Sequence, residues 1–427
     1  MIAYDFYQNQ PIPKPASYGR LATVRGTDHE GQRHAVDLED INLLCTGATK
    51  SGKTHFVKKI LSQTAQRKRK NSIHIIFDPK GDYLSEFFES GDVILSLTDL
   101  PNYPASAQPK WNLLEDITYD GELEMNAREV AQTIFNDILQ GSQNPYFPQA
   151  ACNLFSNLLI AMCRHCHTLP STRDAIQKIC SMKKQEMINA CEQYTDLAST
   201  KQLIGNEAPQ TVAGVLGELI NCLQNTFRGN FLGVGDFSLR EFIKNRTGKK
   251  LFVEFKFDNR ESSAKAIRLI LDILMKGALA GSNADRIYFY LDEFPVLPGK
   301  LTYLPDLVNF GRQSGIRVIA GIQSVAQLYS TWSEKDGNAL LAGFVNNIVF
   351  FCNDADSIRY FSEHAGEIIM PVTNLNLDFT TTTTIERVPI VPAYVLSQLS
   401  VGDAVVFERK VESNDENQYP YWFHFEK

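Results

Sequence analysis

The sequence lacks the features that would place the protein in a membrane or outside the cell. No run of uninterrupted apolar residues reaches the ~18–20 that a membrane-spanning helix requires. The first residues do not pair a basic region with an apolar one, so we expect no export signal. The eight cysteines are scattered singly through 427 residues, without the spacing of a disulfide framework. These absences predict a cytoplasmic protein with reduced thiols.

An excess of positive charge is also lacking, because the formal net charge is −7. This argues against a protein that coats nucleic acid through its overall charge. A ring can nevertheless be acidic outside while a few cations line its pore. The dense basic run Gln66–Lys70 is predicted to lie on the solvated end of a helix.

A complete metal-binding motif is missing as well. Cys163, Cys166 and His167 match the C-x-x-C-H pattern of haem c attachment, which usually requires an exported protein. A zinc site would need a second Cys/His pair at suitable spacing, and the sequence does not supply one. We interpret this segment as part of a helix with incidental cysteines.

The sequence does contain an alternation of strand-like and helix-like segments. Buried-strand patterns occur in "INLLCT", "SIHIIFD", "KKLFVEFKF", "RIYFYL", "GIRVIAGI" and "NNIVFF", with helix-like segments between them. This order predicts an α/β fold with a mostly parallel sheet flanked by helices. A closing β section with a short helix after Pro392 is predicted from Thr380 onward.

The first of these strands leads into a phosphate-binding motif. The segment "GATKSGKT" fits G-x-x-x-x-G-K-[ST] between a predicted strand and a predicted helix. Gly47 and Gly52 allow the backbone N–H groups to face phosphates, and the start of the helix adds its positive dipole. Lys53 is expected to reach the β- and γ-phosphates, and Thr54 to hold Mg²⁺. The predicted nucleotide-binding residues are Gly47, Ala48, Thr49, Lys50, Ser51, Gly52, Lys53 and Thr54.

Two adjacent carboxylates follow another buried strand. Ile287–Leu291 is largely apolar and leads into Asp292 and Glu293. Asp292 is expected to bind Mg²⁺ through water, and Glu293 to activate the attacking water as a general base. Adjacent acidic residues are common on surfaces, but their position here favours hydrolysis over mere nucleotide storage.

Two polar residues flank a third strand, "IRVIAGI". Gln323 follows it, where a side chain could sense the γ-phosphate. Arg312 precedes it in a glycine-flanked turn. An arginine there either completes a neighbouring subunit's site as an arginine finger or is an ordinary surface residue in a polar turn.

The segment from about Glu122 to Gln224 has a helical pattern, because apolar residues recur at spacings of three and four. We therefore predict an all-α domain inserted into the α/β domain. The predicted boundaries place the two parts of the nucleotide-binding domain at residues 1–121 and 236–427, and the inserted domain at 122–235.

These motifs together resemble the type IV coupling proteins of bacterial conjugation, the TraG/TraD group of RecA-like hexameric ATPases. The resemblance covers most of the chain from about Asn42 to Phe407. Its further motifs are "IIFDPKGDY", "WNLLEDI", "LDEFPVLP", "GRQSGIRVIAGIQSVAQL" and "RVPIVPAYVLSQLSVGDAVVF". The resemblance implies a RecA-like P-loop NTPase fold, with ATP and Mg²⁺ as cofactors.

The resemblance also implies roles for the matching residues. Lys53 and Thr54 would bind phosphate and Mg²⁺, and Asp292 and Glu293 would carry out hydrolysis. Arg312 would act in trans, and Gln323 would couple the nucleotide state to movement. For Asp78 and Lys80, the resemblance leaves a structural role as open as a catalytic one.

The implied activity is an ATP-driven motor, working as a homo-hexamer around a channel and delivering DNA to a type IV secretion system. Its implied partners are DNA and secretion or relaxation-complex proteins, and a monomer without DNA is compatible with this picture. Two other functions stay open: a motor for protein substrates that moves no DNA, and a nucleotide-gated scaffold with negligible turnover.

The sequence departs from the family pattern in two places. Many members begin with two membrane-spanning helices, which this sequence lacks, and a long acidic C-terminal tail is also missing. Either the protein is recruited to the inner membrane by partners, or a membrane segment has been removed from it. Docking to a relaxation complex through such a tail is not expected.

Overall fold

The computed structural model describes residues 23–27, 33–37, 42–66, 71–245, 248–256, 258, 260–281, 286–375, 381–407 and 420–425. These residues form two units that the chain enters more than once. The first unit draws on the described residues within Met1–Lys68, Tyr288–Pro295 and Arg317–Lys427, and the second on those within Arg69–Ile287 and Val296–Ile316. The basic run that begins at Gln66 lies outside the described residues from Arg67 to Lys70.

The described strands are numbered along the chain. They are β1 Thr23–Thr27, β2 Arg33–Asp37, β3 Leu43–Thr46, β4 Ile73–Asp78, β5 Val93–Leu95, β6 Lys250–Glu254, β7 Ile287–Leu291, β8 Ile316–Ile322, β9 Asn346–Val349, β10 Glu367–Leu375, β11 Thr381–Pro389, β12 Asp403–Phe407 and β13 Tyr421–Phe425.

The described helices are numbered in the same way. They are α1 Lys53–Gln66, α2 Asp82–Phe87, α3 Leu113–Thr118, α4 Leu123–Gly141, α5 Tyr146–His165, α6 Thr172–Ser181, α7 Lys184–Glu192, α8 Pro209–Thr226, α9 Leu239–Lys244, α10 Arg260–Leu279, α11 Leu304–Phe310, α12 Val325–Ala342, α13 Ala355–Ala365 and α14 Ala393–Leu396. Helix α12 is interrupted at Ser333, whose φ is 64°.

The sheet of the first unit has the strand order β2-β1-β13-β12-β9-β3-β8-β7. Its central strand β3 runs parallel to both β8 and β9, whereas β12, β13, β1 and β2 pair antiparallel along one flank. Strands β3, β7 and β8 are buried along their whole length, which explains their continuous apolar runs. The predicted parallel arrangement is thus confirmed for the strands that surround the phosphate loop.

A separate two-stranded sheet, β10-β11, belongs to the same unit. The predicted closing β section is confirmed by β11, β12 and the short helix α14 that follows Pro392. Most of the threonine run lies in β11, and Thr380 is outside the described residues.

The second unit contains the strands β4, β6 and β5, which pair in parallel in that order. From α3 to α9 its described residues are almost entirely helical, and residues 122–224 contain no strand. The helical pattern predicted for this segment is therefore confirmed. The domain boundaries at 121/122 and 235/236 stay a prediction.

The two ends of this helical segment are fixed to each other through one buried carboxylate. Asp116 accepts hydrogen bonds from Trp111 Nε1 at 2.7 Å, Ser238 Oγ at 2.7 Å and the Arg240 backbone N–H at 2.9 Å. Backbone bridging between Trp111 and Phe237 adds to this connection. Three donors can hold a buried carboxylate that would otherwise be costly to desolvate. The segment "WNLLEDI", Trp111–Ile117, therefore connects the start of the helical part to its end.

Candidate nucleotide site

The loop Gly47–Thr54 connects β3 to α1 and is held by the ends of the two strands beside β3. The Gly47 N–H donates to the Ile322 carbonyl at 3.2 Å, and the Ala48 N–H donates to the Phe351 carbonyl at 2.8 Å. A Cβ on Gly47 would lie 2.7 Å from both the Phe350 Cβ and Ser51 Oγ. Glycine is required there because the loop passes so close to its neighbours.

The tip of the loop has the backbone geometry of a phosphate cradle. Lys50 has φ 67° and Gly52 has φ 110°, so the chain turns twice through conformations with positive φ. Thr49 and Lys50 are exposed, whereas Ser51 is buried and its hydroxyl has no hydrogen-bond partner among the described residues. A buried, unsatisfied hydroxyl in such a loop is a group that a bound phosphate would satisfy.

Lys53 and Thr54 are brought together with both predicted carboxylates. The Lys53 Nζ lies 4.0 Å from Asp292 Oδ1 and 3.9 Å from Glu293 Oε1, with the lysine only 4% exposed. The Thr54 hydroxyl donates to Asp292 Oδ2 at 2.9 Å. Residues separated by 238 positions thus form one polar cluster at the end of the central strands.

This cluster has the composition that a Mg²⁺–nucleotide complex requires. Mg²⁺ in proteins usually takes one or two carboxylate or hydroxyl ligands and completes its shell with water and substrate phosphates. Thr54 and Asp292 supply such oxygens side by side. Two carboxylates around one lysine leave an excess negative charge that a divalent cation would balance.

Glu293 adopts a strained backbone conformation. Its φ is 53°, in the left-handed region that non-glycine residues avoid at a cost of ~1–3 kcal/mol. The residue is 4% exposed, and its carboxylate lies in the same cluster as Lys53. Strain of this kind is retained where the surrounding structure needs the side chain in one position, as at catalytic sites.

Gly321 is a site residue that sequence reasoning missed. A Cβ at this position would lie 2.2 Å from Asp292 Oδ1. Gly321 pairs with Cys45 of β3, and the space left by its missing side chain is filled by the Asp292 carboxylate. A glycine inside a buried strand pattern indicates a close approach by another group, and this signal was available in the sequence.

Cys45 itself is not a reactive group. It is fully buried on β3, and burial raises the pKa of its thiol well above the usual value, with the Asp292 charge raising that pKa further. A neutral thiol at this position serves as a small apolar side chain beneath the carboxylate.

The two predicted sensing residues are in different units. Gln323 is half-buried and directly follows Ile322, whose carbonyl holds the start of the phosphate loop, so it lies next to the site. Arg312 belongs to the second unit, where it is exposed in a short 3₁₀ turn, Gly311–Ser314, that ends at Gly315 with φ 75°. The roles of both residues stay predictions.

Asp78, at the end of β4, has contacts that indicate a structural role. Its Oδ2 accepts from the backbone N–H groups of Tyr83 at 3.1 Å and Leu84 at 2.8 Å, so it holds the first turn of α2. Burial raises the pKa of this carboxyl to about 6, and the backbone donors oppose that shift. Lys80 lies in the turn between Asp78 and α2 and is exposed.

Two further observations concern metals and membranes. Among the described residues, no group of three His, Cys, Asp or Glu side chains is placed to hold a metal ion, and this includes Cys163, Cys166 and His167. None of the helices in the described ranges combines the length and apolar character needed to cross a membrane.

The chain is similar to known proteins over most of its length. The family model for the type IV secretion-system coupling protein DNA-binding domain matches residues 33–388. Coupling protein TraD of Escherichia coli (strain K12) is 24% identical over 374 residues, covering 84% of this chain and 48% of TraD. The chain thus spans about half the length of this curated relative.

Solved structures of two coupling-protein forms and of a VirB4 protein share the fold. Unbound bacterial conjugative coupling protein TrwBΔN70 is 20% identical and covers 97% of this chain and 89% of that one, with a TM-score of 0.75. Plasmid coupling protein TrwB in complex with ADP and Mg²⁺ is 19% identical with the same coverages and a TM-score of 0.72. VirB4 of Thermoanaerobacter pseudethanolicus is 13% identical, covers 97% of this chain and 98% of that one, and has a TM-score of 0.58.

At these identities the structural similarity concerns the fold alone, and it confirms the predicted mostly parallel sheet flanked by helices together with the helical part. The family assignment rests on the sequence model, which covers the phosphate loop, both carboxylates, Arg312 and Gln323. The chain therefore belongs to the type IV secretion-system coupling protein DNA-binding domain family.

Proposed function

We propose that this protein is a Mg²⁺-dependent ATPase that works as a ring and drives DNA toward a type IV secretion channel. The observation that carries the proposal is the cluster of Lys53, Thr54, Asp292 and Glu293 at the phosphate loop. Membership in a DNA-binding coupling protein family supports DNA as the substrate. The similar protein TrwB was solved with ADP and Mg²⁺, which supports the same cofactors here.

Each residue of the cluster has a task in this proposal. Backbone N–H groups at the tip of the loop and at the start of α1 would hold the phosphates. Thr54 and Asp292, which are hydrogen-bonded to each other, would hold Mg²⁺. Lys53 contacts the carboxylates at 3.9–4.0 Å and would turn toward the β- and γ-phosphates when nucleotide binds. Glu293, less than 5% exposed, takes the proton of the attacking water.

The motor step requires a second copy of the chain. Arg312 is exposed, and its carbonyl accepts a hydrogen bond from the Gly315 N–H, which fixes the turn. Its side chain is therefore accessible to a neighbouring subunit. We place it at the γ-phosphate of that neighbour, where loss of the phosphate on hydrolysis would release it. Gln323, directly after the carbonyl that anchors the loop, would transmit the change to β8.

The first experiment is steady-state ATP hydrolysis with and without single- and double-stranded DNA, over a range of protein concentrations. We expect DNA to stimulate turnover, with specific activity rising steeply with protein concentration because each site needs a neighbour's arginine. The Lys53→Ala variant is the background control. An ATP hydrolysis rate that DNA does not change would favour a motor for protein substrates. Absence of ATP hydrolysis would favour a nucleotide-gated scaffold.

Action of Arg312 in trans predicts complementation between two inactive variants. Arg312→Ala and Lys53→Ala are each expected to lose about a hundredfold or more in turnover per subunit. Mixed at equal concentration with DNA, they should recover measurable activity, because some interfaces then pair an intact Lys53 with an intact Arg312. Arg128→Ala, which removes another exposed arginine of the second unit, should keep wild-type turnover. Absence of any recovery in the mixture would contradict action in trans.

A further inference from the structure

The strand order of the first unit indicates in which direction a bound nucleotide would extend. Asp292 and Glu293 follow β7, on one side of the loop-bearing strand β3, and they define where the γ-phosphate would lie. Strands β9 and β12 lie on the opposite side of β3. The nucleoside end of a triphosphate held by the loop would therefore extend over β9 toward β12, which is about 10 Å from β3 at ordinary strand spacing.

The start of β12 lies at the correct edge of the sheet for this contact. β9 runs parallel to β3, and Thr46 at the end of β3 pairs with Val349 at the end of β9. β12 runs antiparallel to β9, with Val405 opposite Val349. The residues that precede Val405, together with the end of β13, are therefore next to the phosphate loop.

A tight turn at this edge contacts the phosphate loop directly. The Gly402 N–H donates to the Ser51 carbonyl at 3.2 Å, and a Cβ on Gly52 would lie 3.5 Å from the Gly402 nitrogen. Gly402 has φ 93°, which this close passage requires. The turn closes where the Asp403 N–H donates to the Ser400 carbonyl at 3.0 Å and the Asp403 carboxylate accepts from the Ser400 N–H at 3.3 Å.

The end of β13 fixes this turn from the other side. The Phe425 N–H donates to the Gly402 carbonyl at 2.9 Å, and the Phe425 ring packs 4.5 Å from Phe56 of α1 and 5.7 Å from Phe350, measured between ring centroids. These buried rings hold β13, the phosphate loop and the first turns of α1 in one arrangement. The turn at Gly402 is therefore a rigid wall of the site.

Two side chains on this wall, those of Val401 and His424, are accessible to solvent. Val401, at the tip of the turn, is 63% exposed although it is apolar. The His424 side chain is 45% exposed, and its Nδ1 is 2.6 Å from Asp403 Oδ1. That contact fixes the orientation of the imidazole, whose ring also stacks with the half-buried Trp422. A Cβ on Gly402, the residue after Val401, would lie 3.4 Å from His424 Cε1, so the exposed valine and the oriented ring belong to the same turn region. A flat ring and an apolar side chain there form a surface suited to the face of a purine base.

We propose that Val401 and the His424 imidazole form the base-binding wall of the nucleotide site, contacting the purine of the bound nucleoside triphosphate. This inference rests on the proposed function, because it assumes that the loop holds the phosphates of a nucleotide. Asp403 and Gly402 act as positioning residues, since the first orients His424 and the second joins the wall to the loop.

The test compares a ligand that has a base with one that has only phosphates. Calorimetric titrations would measure the Kd of Mg²⁺–ATP and of Mg²⁺–tripolyphosphate for the wild type and for Val401→Ser, His424→Ala and His424→Phe. We expect Val401→Ser and His424→Ala to weaken ATP binding by roughly five- to twentyfold and to leave tripolyphosphate binding unchanged. His424→Phe keeps a flat ring and should stay within about threefold of the wild type. Val234→Ser, at an exposed valine of the second unit, is the matched control.

The outcomes separate this inference from the proposed function. If the wild type bound ATP and tripolyphosphate with equal affinity, the inference would be overturned, because the base would then contribute nothing to binding. The inference would also be overturned if His424→Ala and Val401→Ser raised the Kd of ATP and of tripolyphosphate by the same factor, or raised neither. The proposed ATPase function would stand in both cases. Failure of the wild type to bind either ligand, or retention of both by Lys53→Ala, would overturn the proposed function and the inference with it.

Discussion

The Glu293→Gln variant is expected to bind ATP normally and to hydrolyse it ~10²–10⁴ times more slowly than the wild type. The amide has nearly the same shape as the carboxylate but cannot accept a proton from the attacking water. Glu293 lies in a buried cluster, 3.9 Å from the Lys53 ammonium, and it takes no part in the Thr54–Asp292 hydrogen bond. Phosphate release under saturating ATP would give the turnover, and calorimetric titration would give the Kd.

The control for this variant is Glu334→Gln, at an exposed glutamate of the first unit. It removes the same charge from the chain and should retain full turnover. If Glu293→Gln hydrolyses ATP at the wild-type rate, the general base is another group, and the strained conformation at Glu293 has a structural cause. Loss of both turnover and ATP binding would instead indicate that the carboxylate shapes the site.

Adding one methyl group at Gly321 should be nearly as damaging as removing a catalytic group. In Gly321→Ala the new Cβ would lie 2.2 Å from Asp292 Oδ1, a distance that no carbon and oxygen atoms tolerate. Because β7 and β8 are buried along their length, the carboxylate has to rotate away and lose its contact with the Thr54 hydroxyl. We expect turnover to fall about a hundredfold or more, and the Mg²⁺ concentration needed for half-maximal ATP hydrolysis to rise.

The same substitution should also lower the free energy of unfolding by about 1–3 kcal/mol, the usual cost of overpacking a core. Urea denaturation measures that change, and a Mg²⁺ titration of ATP hydrolysis measures the effect on the site. Gly217→Ala is the matched control, because nothing lies within 4 Å of its added Cβ and alanine favours a helix. Wild-type Mg²⁺ dependence in Gly321→Ala would show that Asp292 does not hold the metal.

Much of the fold and the central part of the site could be predicted because they depend on local patterns. Buried parallel strands produce continuous apolar runs, so β3, β4, β6, β7, β8 and β9 were recognisable in the sequence. The phosphate loop is contiguous, and the two carboxylates directly follow a recognisable strand. Since parallel strands end at one edge of the sheet, proximity of Lys53, Asp292 and Glu293 followed from that arrangement.

The features that were missed depend on contacts between distant segments. A glycine in a buried strand signals a close approach, but at Gly321 the approaching group is Asp292, directly after the neighbouring strand β7, and one sequence does not give that alignment. Gly402 contacts the phosphate loop, with His424 next to it, because β12 and β13 pair antiparallel beside β9. Antiparallel return strands at the edge of a parallel sheet have no local signal that fixes their register, so this wall could not be predicted.

The route of the chain has a consequence for synthesis of the protein on the ribosome. The phosphate loop leaves the ribosome early, but its partner Asp292 follows 238 residues after Thr54, carried by a short return of the chain from the second unit, Tyr288–Pro295. High contact order of this kind delays native pairing until the distant partner has been made. The whole helical part is therefore translated before the carboxylate that accepts the Thr54 hydrogen bond has been made. Nascent chains that stall before Tyr288 would expose the unpaired apolar edge of β3, which makes them natural substrates for chaperones.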